Sequence, residues 1–407
     1  MTVTLASTNR VQLSYIAEAD FGVTPVSGTP KNLRTTGETL DFNLTKENDK
    51  EINASAQLTS STTVSAAAGG DIKLHMQYGE YDPFFAGVMR STWTVFGTNG
   101  VGSTFTADFT ATTITASVAT SGINSFATLA KGQWFRLNAP THANNGKLVR
   151  VSPTVAPTTT LITLDASTPL SVGTSVANCT VATSRLANDV TLTSFTVQRE
   201  IGDVGQFFAF RGLYPSKFST NFASAQLTEG TFSFIGKDAI RDATTMMPAT
   251  ATASLAYDIQ NAVTGVGNVW EGGAPLAGTF IKSMSLDIDS GLRAQDAIGY
   301  LGMIGAGIGT FMVKGSLELY FADGTMYDKF LNDVYTSITL STTDSAGNGY
   351  VFTIPKVMLT SGKVQAGAKD QDLMASFEYT AYQDLGNATA SLRKTLFIDR
   401  VGAAVLP

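Results

Sequence analysis

The stretch 37–90 decides the fold of this chain, and it contains the run Gly70-Asp71-Ile72-Lys73-Leu74-His75-Met76-Gln77-Tyr78. Polar and apolar side chains alternate strictly along this run, which is typical of a β-strand with one buried face. An earlier part of the stretch alternates in the same way, at Leu40, Phe42 and Leu44. The sequence therefore predicts two strands that bury one face each.

A short helix is predicted directly after these strands. Residues 81–89 carry Phe84, Phe85 and Val88 at helical spacing. Asp82 is the expected N-cap, and Pro83 suits the first helical position because its missing N–H has no partner there.

The same pattern occurs a second time about 245 residues later. Met284, Leu286 and Ile288 alternate with Ser and Asp, a second alternating run covers 315–321, and 327–331 repeats the helix pattern. Thirty residues separate Phe42 from Ile72, and 31 separate Leu286 from Leu317. We predict a mainly β chain with two duplicated units, each with one short α-helix.

A segment that interrupts the first unit has no counterpart in the second. It is rich in Thr, Ser, Ala and Val, and Asn144-Asn145-Gly146 between two alternating runs is a strong hairpin signal. We predict an all-β surface module here. The predicted organisation is an N-terminal arm at 1–30, a first unit at 31–91 and 188–243, the inserted module at 92–187, a connector at 244–280, a second unit at 281–387 and a C-terminal arm at 388–407.

Composition excludes several classes of function. The 407 residues are only 15% charged, with a formal net charge of −6, which argues against a protein that grips nucleic acid through clustered Lys and Arg. The single cysteine, Cys179, excludes an intrachain disulfide framework. The first ten residues contain no apolar leader, so no secretory signal is expected. The most apolar window, 297–313, is interrupted by glycines and is too short to span a membrane.

The residues predict neither an enzyme nor a cofactor site. The glycine-rich run 302–309 lacks the strand–helix context and the lysine of a nucleotide-binding loop. His75 and His142 lie far apart, and one cysteine with two histidines does not favour a structural zinc site. We find no nucleophile paired with a base, and we expect no bound metal.

Several residues of the N-terminal third resemble the major tail tube protein of long-tailed, siphovirus-like bacteriophages. The matching stretches are 9–15, 21–25, 33–40, 51–52, 68–72 and 78–82. The resemblance implies tail-tube units with a β-sandwich or barrel fold, and rings that stack into a hollow tube, through which double-stranded DNA passes from capsid to host. It also implies assembly in the host cytoplasm, a place in the virion tail, and contacts with a tape measure protein and with tail terminator and distal tail proteins.

The duplication predicts how many chains form a ring. A duplex about 20 Å across cannot pass through an eight-stranded barrel, because side chains fill its interior. If each unit gives about four strands to a shared barrel, six units give roughly 24 strands and a wide pore. Tubes of this family are commonly six-fold, so a chain with two units predicts a trimer with pseudo-six-fold symmetry. The alternative is a ring of six chains in which only one unit of each faces the channel.

Polar residues of the alternating strands are the candidates for the wall of the channel. An acidic or neutral wall leaves the counterions of DNA in place, whereas a cationic wall would hold each phosphate. The alternative is that these residues only form the solvated face of a half-buried sheet. The candidates are Asp41, Asn43, Asp71, Lys73, Asp287, Asp289 and Glu318.

Two segments between the paired strands are too long for their own unit and predict contacts between rings. They are 55–70 and 291–314, and the second would be an aggregation hazard if its apolar side chains stayed exposed. The alternative is a hairpin folded onto its own sheet. The stacking candidates are Ile298, Tyr300, Leu301, Met303, Ile304, Ile308, Phe311 and Met312.

A β-rich adhesin or carbohydrate-binding protein of the virion surface is the second hypothesis. It would use Trp93, Trp134 and Tyr81 as stacking platforms, although Trp134 lies in an alternating run and is typical of a core residue.

Overall fold

The computed structural model describes residues 5–98, 100–117, 125–261, 266–276, 280–366 and 369–402. Strands dominate these ranges, and the two α-helices found there have seven residues each. The predicted mainly β fold with one short helix per unit is confirmed. Short 3-10 helices lie at Thr8–Arg10, Phe126–Thr128 and Ala390–Leu392.

The first unit is divided by the inserted module. Before the module come β1 Val11–Ala17, β2 Lys31–Leu33, β3 Gly37–Glu38, β4 Asp41–Asn48, β5 Ser61–His75 and helix α1 Asp82–Val88. The next strands are β6 Thr94–Val95, β7 Phe105–Phe109, β8 Thr113–Ala116, β9 Trp134–Asn138, β10 Lys147–Arg150, β11 Leu161–Thr163, β12 Gly173–Ala182 and β13 Ser184–Ala187. The unit resumes with β14 Phe195–Ile201, β15 Gln206–Ala223, β16 Glu229–Gly236 and β17 Asp238–Asp242.

The second unit has equivalents of the main strands and of the helix, lacks the inserted module, and adds a small hairpin. It begins with β18 Val266–Glu271, β19 Ala274–Pro275 and β20 Ile281–Asp289. The small hairpin β21 Leu292–Gln295 and β22 Gly305–Ile308 follows, then β23 Met312–Tyr320 and helix α2 Thr325–Leu331. The unit ends with β24 Thr336–Thr343, β25 Gly349–Gln365, β26 Met374–Ala381 and β27 Phe397–Val401.

Eight strands form one continuous antiparallel sheet, which we call the inner sheet. Its order is β4-β5-β16-β15-β20-β23-β26-β25, and the β15–β20 ladder joins the two units. Each unit therefore contributes four strands, and within each unit they follow the same order of first, second, fourth and third in sequence.

The long strands β15 and β25 each belong to two sheets. Their C-terminal halves lie in the inner sheet, and their N-terminal halves lie in outer sheets with the orders β1-β14-β15-β17 and β18-β24-β25-β27. A β-bulge separates Pro215 from Lys217 in β15, and another separates Leu359 from Ser361 in β25. Because a bulge bends a strand and increases its twist, equivalent bulges let both strands cross between layers in the same way.

Strands of the outer sheets come from the segments predicted as two arms and a connector. Within 1–30, β1 lies between β2 and β14, with Leu13 and Tyr15 buried. Within 244–280, β18 pairs with β24. Within 388–407, β27 lies between β13 and β25 and is buried along its length. All three segments therefore have partners within their own chain.

The inserted module has a sheet and a core of its own. Its six-stranded sheet has the order β10-β9-β12-β7-β8-β11, and Phe109, Phe126 and Phe135 lie in its buried cluster. Its predicted limits, 92 and 187, fall outside this sheet, because β6 and β13 pair with each other and β13 continues the second outer sheet beside β27.

Helix α1 packs between the inner sheet and the outer layer and contacts both units. The Phe85 ring lies 4.9 Å from that of Phe218 in the first unit and 5.3 Å from that of Tyr350 in the second. Such pairs add about 0.5–1.5 kcal/mol beyond the area that they bury. The two units therefore share one hydrophobic core.

A buried ion pair adds a polar link between the units. Asp82 does not cap α1, because Tyr81 is the N-cap and makes no side-chain capping bond. The Asp82 carboxylate instead accepts hydrogen bonds from the Arg400 guanidinium in β27 and, at 2.7 Å, from the Tyr350 hydroxyl. The residue that looks like a local cap therefore serves a contact 318 residues away in sequence.

We expect Asp82→Ala to cost about 3–5 kcal/mol of unfolding free energy, because it leaves the buried Arg400 charge without its carboxylate. Arg10→Ala removes a pair with Asp203 in which the arginine is 67% exposed, and should cost about 0–1 kcal/mol. Urea denaturation of the unassembled chain measures both values. Equal losses would show that the buried pair does not hold the units together.

Candidate functional site

One face of the inner sheet is polar along its whole width, and we call it the polar face. Directly paired residues in antiparallel strands share a face, so the register from β5 to β23 fixes which side chains lie together. One such row is Lys73, Thr231, Ser219, Asp287 and Lys314. The alternate residues, such as Ile72, Phe232, Phe218, Leu286 and Val313, are buried in the shared core.

All seven residues proposed from the sequence as wall candidates lie on this face. Asp71 and Lys73 come from β5, Asp287 and Asp289 from β20, and Glu318 from β23. Asp41 and Asn43 of β4 join them, because they pair with Gly69 and Ala67 of β5. The structure thus brings together residues that are up to 277 positions apart in sequence.

Further charged residues of the polar face were missed by the sequence analysis. They lie on the alternating strands β15, β16, β26 and β25 and on β23, whose period-two pattern was the available signal. They are Lys217, Glu229, Lys314, Lys363 and Glu378.

The polar face is acidic overall. The charged residues named above are seven carboxylates and four lysines, a fifth lysine, Lys282 of β20, bonds to Glu318, and the eight strands place no arginine on this face. The Lys217 ammonium lies 2.9 Å from the Asp289 carboxylate across the β15–β20 ladder, and Lys282 lies 3.1 Å from Glu318. A phosphate group near this face would therefore find lysines that are partly neutralised. It would find no arginine guanidinium group, which can bind phosphate through two hydrogen bonds.

Asp287 differs from its neighbours on the polar face. Partial removal of water by the surrounding sheet raises the pKa of its carboxyl group above the usual value. The ionised side chain therefore destabilises the folded chain at neutral pH. This cost is relieved as the pH falls through the raised pKa, because the folded state then holds the proton more tightly than the unfolded state does.

The inner sheet ends in two edges that no strand of the described ranges covers. One is the outer edge of β4, and the other is the outer edge of β25 after Val357. At the β4 edge, the Leu40 N–H donates to the Glu38 carboxylate and the Phe42 N–H to the Asp41 carboxylate, each at 2.8 Å. Open edges of this kind favour pairing with another chain.

The stacking candidates divide into two groups. Ile298 and Tyr300 are 103% and 67% exposed, and Leu301, Ile304 and Ile308 are also exposed. The loop that carries them is attached to the first unit, because the Ala66 N–H donates to the Leu301 carbonyl at 2.8 Å. The hairpin β21–β22 flanks this loop.

The remaining stacking candidates lie elsewhere in the structure. Met303 is buried at 3% exposure, and Phe311 packs against the shared core and under the Arg90 guanidinium. Met312 pairs with Asp289 and so belongs to the polar face. These three residues therefore lie outside the exposed surface of the loop.

The structure does not support the stacking platforms expected for a carbohydrate binder. Tyr81 and Trp134 are fully buried, and Trp134 packs on Trp270 with ring centroids 4.5 Å apart. Trp93 is partly buried against the core, and its indole N–H donates to the Asp82 carbonyl. These aromatic rings are therefore packing residues.

The described residues show neither a metal site nor a membrane span. They contain no group of three or more His, Cys, Asp or Glu side chains that could hold a metal ion. Among the helices in these ranges, none combines the length and the apolar character needed to cross a bilayer.

Adjacent residues of β20 test the assignment of the two faces. We expect Asp287→Asn to lower the unfolding free energy by no more than about 0.5 kcal/mol, because the neutral amide avoids the cost of a desolvated charge. Ile288→Ala should cost about 2–5 kcal/mol, because it leaves a cavity in the core. Urea denaturation of both variants is the measurement, and a larger loss for Asp287→Asn would reverse the assignment.

Comparison with known proteins gives one family. The model of a family described as "Phage tail tube protein" matches residues 8–381. The match covers the first unit, the inserted module and the second unit as far as the end of β26. The comparison with curated proteins gave no match.

Proposed function

The chain belongs to the phage tail tube protein family, whose members are structural components of the virion tail, and from this premise we propose that it forms trimeric rings that stack into a DNA-conducting tube. The observation that carries the proposal is the inner sheet. It has four strands from each unit, one polar face and two open edges. Such a sheet is one third of a closed barrel.

The width of the pore favours three chains per ring. Strands spaced about 4.8 Å apart and tilted by about 40° give a 24-stranded barrel a backbone diameter of about 48 Å. Side chains that reach about 5 Å inward leave about 38 Å, which admits a duplex about 20 Å across. Eight strands would give about 16 Å and 48 strands about 96 Å, so one chain is too narrow and six complete chains are too wide.

The polar face is the proposed wall of this pore. The apolar side of the inner sheet is covered by α1 and the outer sheets, so the polar side is the one left to face a channel. Its acidic balance leaves the counterions of DNA in place and repels the phosphates mildly. DNA that passes through the pore would then find no binding site on the wall.

The exposed loop of the second unit is the proposed contact between rings. Ile298, Tyr300, Leu301, Ile304 and Ile308 expose apolar side chains on one loop and its flanking strand. In the first unit, the β4–β5 hairpin exposes Ile52 and Leu58 near its end. Burial of such side chains between rings would add about 25 cal/mol for each Å² removed from water.

The other parts of the chain fit an exterior role. The inserted module adjoins the second outer sheet, where β13 pairs with β27, and we propose that it decorates the tube surface. Tape measure, tail terminator and distal tail proteins are the proposed partners inside and at the ends of the tube. Assembly would take place in the host cytoplasm.

Electron cryo-microscopy of tubes assembled from the purified chain tests the ring. We expect three chains per ring, a continuous inner barrel, and the loop that carries Ile298 in contact with the adjacent ring. A ring of six chains, or a particle without an axial channel, would contradict the proposal.

DNA ejection tests the wall. Asp287→Lys with Asp289→Lys should slow ejection while tubes still form, because the added cations attract phosphates, and raising the salt concentration should reduce the effect. Asp20→Lys is the matched control, because Asp20 is exposed and lies outside the inner sheet. Ejection kinetics of phage that carry each variant are the measurement, and unchanged kinetics in the double variant would remove these residues from the wall.

A further inference from the structure

The β15–β20 ladder is the junction between the two units of one chain, and the structure gives its register. Phe218 pairs with Ile288, Lys217 with Asp289, and Ser219 with Asp287. The Lys217–Asp289 ion pair spans the ladder at 2.9 Å on the polar face. A ring of three chains needs three more junctions of the same kind, and each must join the β25 edge of one chain to the β4 edge of the next.

The duplication gives the equivalent residues. In the first unit, one row runs from Phe218 through Phe232 and Ile72 of the inner sheet to Glu38 of β3, which pairs with β5 in the same register as β4 does. The corresponding row of the second unit runs from Gly362 through Phe377 and Leu317 to Met284. Each row begins two residues after the bulged residue of its long strand. This common distance aligns the two rows residue by residue.

From this alignment we infer the register of the contact between chains, an inference that rests on the proposed ring. Ile288 lies four residues after Met284, and Phe42 lies four residues after Glu38, so Phe42 takes the place of Ile288. Gly362 of one copy therefore pairs with Phe42 of the next. Along the same ladder, Ser361 faces Asn43 and Lys363 faces Asp41.

Hydrogen-bond donors at the β4 edge match this register. In the internal junction, the Ser290 N–H donates to the Ser216 carbonyl and the Ser224 N–H to the Lys282 carbonyl. These bonds alternate along the ladder, so Ile288 and Phe218 form a hydrogen-bonded pair. Phe42 must then direct its N–H outward, and it does, since that N–H bonds to the Asp41 side chain in place of a strand. A shift by one residue would turn the N–H groups away from the neighbour.

Charge complementarity supports the same register. The internal junction has one Lys–Asp pair and one Ser–Asp pair on the polar face. The inferred junction has Lys363 opposite Asp41, and Ser361 opposite Asn43. Each junction therefore holds one ion pair, and the ion pair of the inferred junction lies one polar-face position further along the ladder than that of the internal junction. Both new pairs occupy positions without ladder hydrogen bonds, where opposing side chains lie closest.

A disulfide test measures the register. We expect the variant with Asn43→Cys and Ser361→Cys to form interchain disulfides when its tubes are oxidised, since directly opposed Cβ atoms lie about 4.5–5.5 Å apart. Denaturing gels without reductant should show linked species up to three chains and none larger. The matched control, Asn43→Cys with Lys363→Cys, places the thiols on a diagonal of about 7–8 Å and should link poorly. The native Cys179 is buried in the inserted module.

Different outcomes separate the register from the ring. Tubes in which the control links as well as the direct pair would overturn the register and leave the ring intact. Linked species of up to six chains would overturn the trimer. A wild-type chain that forms no tubes under the electron microscope would overturn the proposed function itself.

If the cysteine variants fail to assemble, exchanging the charges of the inferred ion pair tests the register instead. Asp41→Lys and Lys363→Asp should each reduce the yield of tubes, because each places like charges opposite one another. The double variant restores an opposite pair and should recover the yield. A double variant that assembles no better than the single ones would overturn the register.

Discussion

The antiparallel ladder between β15 and β20 is the contact on which the rest of the structure depends. It converts two four-stranded sheets into one sheet with a single polar face and a single buried face. Without it, the acidic residues of β5 and those of β20 would belong to separate surfaces. With it, they lie on one continuous polar face, and the rows that cross the sheet stay in register between the units.

Fusion of two units in one chain changes how a ring closes. In the proposed trimer, three of the six junctions lie within chains and are already formed when the chain has folded. Forming these internal junctions costs none of the translational and rotational entropy that separate chains lose when they associate. The shared core around Phe85 and the buried Asp82–Arg400 pair hold each internal junction at a fixed geometry. The edges of β4 and β25 are thereby presented at one angle, which favours closure over open-ended association.

The sequence predicted the inner sheet well because its strands bury one face only. Alternation at Asp71 to Met76 and at Met284 to Asp289 reports directly on which side chains point to the core. The outer strands gave no such signal, since β27 is buried on both faces and contains Asp399 and Arg400. Their partners, Arg185 and Asp82, are distant in sequence, so only the tertiary structure shows that these charges are neutralised. The burial of Met303 also depends on tertiary structure, because the loop that carries it folds back onto the first unit.

Hydrogen exchange of backbone amides tests most directly whether neighbouring chains complete the inner sheet. In the unassembled chain, the amides of β20 should be protected by the β15 ladder, whereas the Leu40 and Phe42 amides, held only by their local carboxylates, should exchange quickly. In assembled tubes, the account predicts that the Leu40 and Phe42 amides become as protected as those of Leu286 and Ile288. Fast exchange at Leu40 and Phe42 in intact tubes would show that no strand pairs with β4, and would contradict the shared barrel.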